Sequence, residues 1–124
     1  ARVAVRARTM ELLAKAGGFD RSEQDQAFMA GMFSLLGILF GLPLAGILNP
    51  LQLHESLTSG VLHHEGELGR LLQAVECSEC ADETRLIGLL GSLNLSIADY
   101  NLLSLDAYRW MLGVIHDQQD AAHA

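Results

Sequence analysis

One long uncharged stretch constrains this chain more than any other feature. Gln26 to Leu53, QAFMAGMFSLLGILFGLPLAGILNPLQL, contains no Asp, Glu, Lys, Arg or His. Because about 20 apolar residues are enough for a helix to cross a bilayer, the stretch is either a membrane span or the buried centre of a helical domain. The residues inside and around the stretch distinguish these two cases.

Three details favour the buried helical domain. Pro43 divides the stretch, since proline lacks a backbone donor and clashes with the preceding turn, and neither half is then long enough to span. The preceding residues are typical of a soluble helix start, with Ser22 as the N-cap and Asp25 in the capping-box position. No basic flank or aromatic belt anchors the stretch. We therefore predict no membrane span and keep a small membrane-associated helical segment as an alternative.

Helical periodicity continues through the rest of the chain. No segment alternates with the two-residue period of a strand, and the chain has the size of one domain. Gly31 and Gly37 weaken the second helix and therefore indicate close packing by its neighbours. We predict an all-α fold, a compact multi-helix bundle, with helices over about 3–16, 21–40, 42–48, 52–60, 68–80, 82–94 and 96–116, and fraying from 117 to 124.

The helix at the centre of this bundle carries a resemblance to a known family. Ala27–Gly37, AFMAGMFSLLG, resembles the core helix of the HD superfamily, in which A-x-x-A-G-L-L-H-D-I-G places a metal-binding His-Asp pair. Ser34 and Leu35 stand at the positions of that His and Asp. The glycines and apolar residues match in register while the metal ligands do not, which resembles the HDOD domain, the HD-related output domain that lacks the metal centre.

Two further segments resemble bacterial proteins that join an EAL domain to an HDOD domain: residues 6–14 and 66–72. The resemblance implies that residues 1–124 are the C-terminal part of an HDOD-like domain. Since the sequence begins at Ala1 without an initiating Met, inside a helical pattern and without a signal peptide, we expect a fragment of a longer cytoplasmic chain. The resemblance also implies a non-catalytic signal-transduction module that mediates protein–protein interaction. Its implied partner is an N-terminal EAL domain, whose family hydrolyses or binds cyclic di-GMP, or another signalling protein.

The alternative reading within the same superfamily is a metal-dependent phosphohydrolase or phosphodiesterase. Such a site needs imidazole and carboxylate ligands for divalent ions that activate water. Ser34 and Leu35 cannot supply them, and no His precedes His54. We therefore predict no metal, no cofactor and no catalytic residue in this chain.

Charge is distributed unevenly along the chain. The first 21 residues have five basic and two acidic side chains, a net charge of +3, whereas the remainder has three basic and thirteen acidic ones, a net charge of −10. This balance opposes broad nucleic-acid binding, which needs a basic surface. The basic first helix is either a solvated face or an interface with a partner domain. The candidate interface residues are Arg2, Arg6, Arg8 and Trp110.

The two cysteines have the spacing of a Cys-x-x-Cys motif, at Cys77 and Cys80. A zinc site would need a second ligand pair, and the nearby His63 and His64 are adjacent residues without the required spacing. A thioredoxin-like motif would need a strand before it. Free thiols are the expected state of both cysteines.

Overall fold

The computed structural model describes residues 2–41, 43–51 and 53–123, and of residues 37, 38, 47, 50 and 117–123 it describes the backbone alone. All regular structure in this part of the chain is helical, which confirms the predicted fold class. The elements in chain order are α1 (Arg2–Ala16), α2 (Arg21–Phe40), α3 (Leu44–Leu48), a 3₁₀ turn (Asn49–Leu51), α4 (Glu55–His63), α5 (Gly66–Glu79), α6 (Glu83–Gly91) and α7 (Ile97–His123).

Helix α1 occupies the centre of the bundle. It contacts α2, α5 and α7, and its Met10, Leu13 and Ala14 have no exposed surface. The same core takes in apolar side chains from α2 to α6 and Tyr100 from α7. The helix ends as predicted at the glycine pair, where Gly18 has φ +84° and the backbone N–H of Phe19 donates to the carbonyl oxygen of Ala14 at 3.0 Å. This bonding pattern and the left-handed glycine are those of a Schellman motif.

The close crossing of α1 and α2 depends on Gly31. A Cβ atom at this position would lie 2.7 Å from the Cα of Ala7 and 2.9 Å from the carbonyl oxygen of Arg6. Glycine costs about 1 kcal/mol relative to alanine inside a helix, and here it allows two backbones to approach at a distance that alanine would prevent. The prediction of close packing is confirmed at Gly31, while the surroundings of Gly37 lie outside the described residues.

Helix α2 has the predicted bounds but a different N-terminal cap. The prediction of Ser22 and Asp25 was wrong, because the Oδ1 of Asp20 accepts a hydrogen bond from the backbone N–H of Glu23 at 2.8 Å. The Glu23 carboxylate reaches back to the N–H of Asp20 at 3.5 Å. Both Asp20–Glu23 and Ser22–Asp25 fit the capping spacing, but glutamate is the longer side chain that the third position prefers. Asp25 instead forms an ion pair with Arg21 at 3.2 Å.

The uncharged stretch is buried over only part of its length. Ala27, Ala30 and Leu35 are at most 2% exposed, in agreement with the prediction of a buried centre. At the end of α2, however, Leu39 and Phe40 are 58% and 67% exposed, so the last turn of the helix is not part of the core. Within residues 2–41, 43–51 and 53–123, no helix combines the length and the apolar character needed to cross a membrane.

The short helices that follow are shifted from their predicted positions. The predicted helix over 42–48 begins later, at Leu44, with Pro43 as the N-cap of α3. It ends at Leu48 as predicted, and the 3₁₀ turn follows directly from Asn49. The predicted start of the next helix, Gln52, lies outside the described residues. Helix α4 begins at Glu55 because the ring Nδ1 of His54 accepts a hydrogen bond from the backbone N–H of Ser56 at 3.2 Å.

The last two helices differ from the predictions at their C-terminal ends. Helix α6 stops at Gly91, and the following turn places Asn94 at φ 59°. The predicted cap of α7 is confirmed, since Ser96 and Asp99 exchange hydrogen bonds at 2.9 and 3.1 Å. The predicted end near His116 was wrong: the backbone stays helical to His123. Residues 117–123 contain no glycine or proline, so nothing in this segment interrupts a helix that is already formed.

Candidate functional site

The two positions that the resemblance aligns with the HD pair, Ser34 and Leu35, lie in the interior of the bundle. Ser34 is 6% exposed, and its Oγ donates to the carbonyl oxygen of Gly31 at 3.0 Å. Leu35 is 2% exposed and has no ligand atom to offer. In the part of the chain that the structure describes, no three His, Cys, Asp or Glu side chains converge in a metal-binding arrangement.

A guanidinium occupies the space beside Ser34. The Nη1 of Arg6 donates to the Ser34 Oγ at 2.9 Å, and its Nε and Nη2 donate to the two carboxylate oxygens of Glu79 at 2.7 and 2.5 Å. Arg6 is 8% exposed and the Glu79 side chain 27%. This two-point geometry is the strong form of an arginine–carboxylate pair, so Arg6 joins α1, α2 and α5 at one point.

Tyr100 of α7 completes this polar cluster. It is 3% exposed, and burial raises the pKa of its hydroxyl above the ordinary value, against the opposing effect of a hydrogen bond with Ser78. Glu79 raises this pKa further and Arg6 lowers it, through their charges. Since a raised tyrosine pKa keeps the hydroxyl neutral, this group acts as a neutral hydrogen-bonding partner within the core.

A second arginine of α1 contacts the last helix. Arg8 forms an ion pair with Glu11, and its guanidinium carbon lies 5.5 Å from the centre of the Trp110 ring. Trp110 in turn meets the ring of Phe28 edge to face, at 6.1 Å and 88°. Both distances are typical of attractive cation–π and aromatic contacts. Arg8 and Trp110, predicted separately as interface residues, are thus brought together and fix α7 against α1 and α2.

The four candidate interface residues therefore differ in what they present to solvent. Arg2 is 76% exposed and lies 3.9 Å from Glu79, and the Arg8 side chain is 30% exposed. Trp110 is half-buried. Arg6, by contrast, has little surface left for another protein. The docking interface stays a prediction, now centred on the start of α1 and its contact with α7.

The cysteines lie at the end of α5 and both are free thiols. Cys77 is 8% exposed, and burial raises the pKa of its thiol while the charge of Arg85 opposes this. Cys80 is exposed at the helix C-cap. Next to Cys77, the ring Nε2 of His64 lies 2.7 Å from the Glu76 carboxylate, in a cavity of about 260 Å³. A raised pKa opposes thiolate chemistry, so Cys77 behaves as a small core residue.

A larger surface cavity of about 620 Å³ lies away from the Arg6 cluster. Phe19, His54 and Leu68 line it together with four glutamates, Glu23, Glu55, Glu65 and Glu67. Because these carboxylates repel anions, the cavity does not suit a phosphate ester, the substrate that the hydrolase alternative requires.

Sequence reasoning missed the residue that organises the cluster, Glu79. It lies between the two cysteines, and its partner Arg6 is 73 positions away. The sequence gives one indication of such a pair, the contrast between the positive net charge of α1 and the negative net charge of the remainder. This contrast does not identify which acidic residue pairs with Arg6.

One comparison with known proteins gives a relative. The chain is 30% identical over 105 residues to the cyclic di-GMP phosphodiesterase CdgJ of Vibrio cholerae, and the match covers 85% of this chain and 24% of the relative. The chain thus spans about a quarter of the length of the curated protein that it matches. No protein-family model matches the chain, and no solved structure matches it.

Proposed function

We propose that this chain is a non-catalytic regulatory module of a cyclic di-GMP signalling protein and that it works through protein–protein contact. Its similarity to a cyclic di-GMP phosphodiesterase supports the signalling role. Because the similar region is about a quarter of that relative, the proposal assigns the hydrolytic activity to a different part of such a protein. Residues 1–124 are then the C-terminal part of an HDOD-like domain linked to an EAL domain in the cytoplasm.

The observation that carries this proposal is the hydrogen bond from Arg6 to Ser34. In the HD superfamily, the position of Ser34 holds a ligand of a divalent cation. In this chain a protein cation contacts the same position, and the Glu79 carboxylate neutralises it. Because both carboxylate oxygens of Glu79 already accept hydrogen bonds from the guanidinium, this carboxylate is not free to bind a second cation there.

The same cluster supports a role in contact rather than in chemistry. Its hydrogen bonds connect helices distant in sequence, with Arg6 on α1, Ser34 on α2 and Glu79 on α5. A fold can retain its shape after losing the groups that performed a reaction, because packing maintains the fold and the ligands serve the chemistry. In this proposal, the apolar residues and glycines of α2 keep the fold intact and so support the surface around Arg2 and Trp110.

The proposal is tested in the full-length gene product that carries this chain. Deleting residues 1–124 should leave the cyclic di-GMP site intact but change the cellular output or the binding of a partner. Arg2→Ala is the milder variant, because Arg2 is exposed and Arg6 keeps both of its hydrogen bonds with Glu79. Arg85→Ala, at another exposed arginine, is the control. A deletion without effect on output or binding would contradict the regulatory role, and chelator-sensitive turnover by the isolated chain would favour the phosphohydrolase alternative.

A further inference from the structure

Helix α7 has two apolar faces, and only one of them is used in the described fold. The inner face includes Tyr100, Ala107 and Met111, which are 3%, 0% and 7% exposed. The outer face is formed by apolar side chains that are 38% to 62% exposed: Leu102, Leu105, Tyr108, Leu112 and Ile115. A helix that borders solvent normally carries polar residues on its outer side, so this second face requires an explanation.

The exposed residues form one continuous stripe. They recur at intervals of three and four, the spacing that places side chains on one side of a helix. The stripe therefore runs for about 20 Å, at 1.5 Å per residue. A contiguous apolar patch of this kind marks an interaction site more often than the scattered apolar residues of an ordinary surface.

The charges beside the stripe indicate what covers it. Asp106 and Arg109 lie three positions apart, on the same edge of the stripe. When two copies of one helix pack antiparallel about a two-fold axis, each edge faces the same edge of the other copy. With the axis near residues 107–108, Asp106 of each copy faces Arg109 of the other. The same register brings Leu105 close to Leu112 of the other copy.

A parallel pair and a membrane surface both fit this stripe less well. In a parallel pair, the edge with Asp106 and Arg109 would face the opposite edge, which lacks a charged side chain between Leu102 and Ile115. A helix that lies on an anionic membrane is rich in Lys and Arg on its polar side. Helix α7 has one arginine and no lysine but four aspartates, and the chain has a net charge of −7.

We propose that the outer stripe of α7 binds the same stripe of a second copy of this chain, in an antiparallel two-fold arrangement. The two copies bury their leucines against each other and form two reciprocal Asp106–Arg109 ion pairs. A contact made by one helix pair is near the lower limit of specific interfaces, about 1,000 Å², where weak and transient complexes are found, so we expect a weak dimer. This inference does not depend on the proposed regulatory role, because self-association is measured without any signalling partner.

Sedimentation velocity from about 1 to 200 μM tests the proposal. The wild-type chain should change from monomer to dimer within this range. Leu112→Glu should raise the dissociation constant at least tenfold, because it buries a carboxylate in the contact, close to Leu105 of the other copy. Leu39→Glu is the matched control, since Leu39 is equally exposed at 58% against 60% but lies on α2. Circular dichroism checks that both variants remain helical.

The charge pairs give a second and independent test. Asp106→Arg and Arg109→Asp should each weaken the dimer, since each places like charges opposite one another. The double variant should restore the wild-type dissociation constant, because the reciprocal pairs form again with reversed polarity. A chain that is monomeric at 200 μM, a dimer that tolerates Leu112→Glu, or a double variant as weak as the single ones would overturn the proposal.

Discussion

The Nη1 of Arg6 donates a hydrogen bond to the Oγ of Ser34 at 2.9 Å, across 28 positions of sequence. The Ser34 hydroxyl in turn donates a hydrogen bond to the carbonyl oxygen of Gly31. Gly31 is also the residue that lets α1 approach α2. The buried arginine, the serine and the glycine therefore form one structural unit at the crossing of the two helices.

Removing the Ser34 hydroxyl should destabilise this crossing. In Ser34→Ala, the Nη1 of Arg6 is left buried without its partner, which costs about 1–3 kcal/mol in the free energy of unfolding. Ser92→Ala is the matched control, because the Ser92 hydroxyl is exposed and bonds to the nearby carbonyl of Leu89. Surface changes of this kind stay within about 0.5 kcal/mol. Urea unfolding of both variants measures this difference. Equal losses of stability in Ser34→Ala and Ser92→Ala would contradict the structural role of Ser34.

Gly31 should not tolerate a methyl group. Gly31→Ala places Cβ 2.7 Å from the Cα of Ala7, and the resulting overpacking costs about 1–3 kcal/mol. Gly88→Ala in α6 should instead stabilise the protein by up to about 1 kcal/mol, since nothing lies within 4 Å of its Cβ and alanine is the better helix former. Thermal unfolding should shift in opposite directions for these two variants. A Gly31→Ala protein at least as stable as the wild type would show that α1 and α2 do not pack this closely.

Features that depend on residues close in the sequence could be predicted, whereas contacts between residues distant in the sequence could not. The bounds of α2 and the Ser96–Asp99 cap follow from local patterns and were predicted correctly. At the start of α2 two overlapping patterns satisfied the same capping spacing, and the preference of the third position for glutamate favours Asp20 over Ser22. The Arg6–Glu79 pair joins residues 73 positions apart, and no periodicity encodes such a contact. The extension of α7 to His123 was not predicted, because residues 117–123 have no large apolar side chain and chain termini without such anchors usually fray.

The cap of α2 can be assigned by two alanine substitutions. Asp20→Ala removes the acceptor of the Glu23 backbone N–H and should cost about 1 kcal/mol, a typical value for an N-cap. Ser22→Ala should change the stability by less than about 0.5 kcal/mol, as expected of an exposed position. Chemical unfolding measures both values. A larger loss for Ser22→Ala than for Asp20→Ala would restore the cap that the sequence pattern first indicated.

The two cysteines should differ in reactivity. Burial raises the pKa of Cys77, so less of it is thiolate at pH 8, while Cys80 is exposed. A disulfide reagent such as DTNB should therefore modify the Cys80→Ser variant slowly and the Cys77→Ser variant quickly. The slow rate should rise with pH, because the thiolate is the reactive form. In urea the difference should disappear, whereas equally fast thiols in the folded protein would contradict the burial of Cys77.

Metal content tests the central claim most directly, because the proposed loss of chemistry rests on Arg6 and Ser34 at the position of a metal ligand. The purified chain is incubated with manganese, iron or zinc, dialysed, and measured by elemental analysis. Ser34→Ala serves as a comparison, since loss of its side chain should leave the result unchanged if Ser34 binds no metal. We predict a metal content far below one ion per chain in both proteins. One ion per chain that survives dialysis of the wild type and is lost in Ser34→Ala would contradict the account.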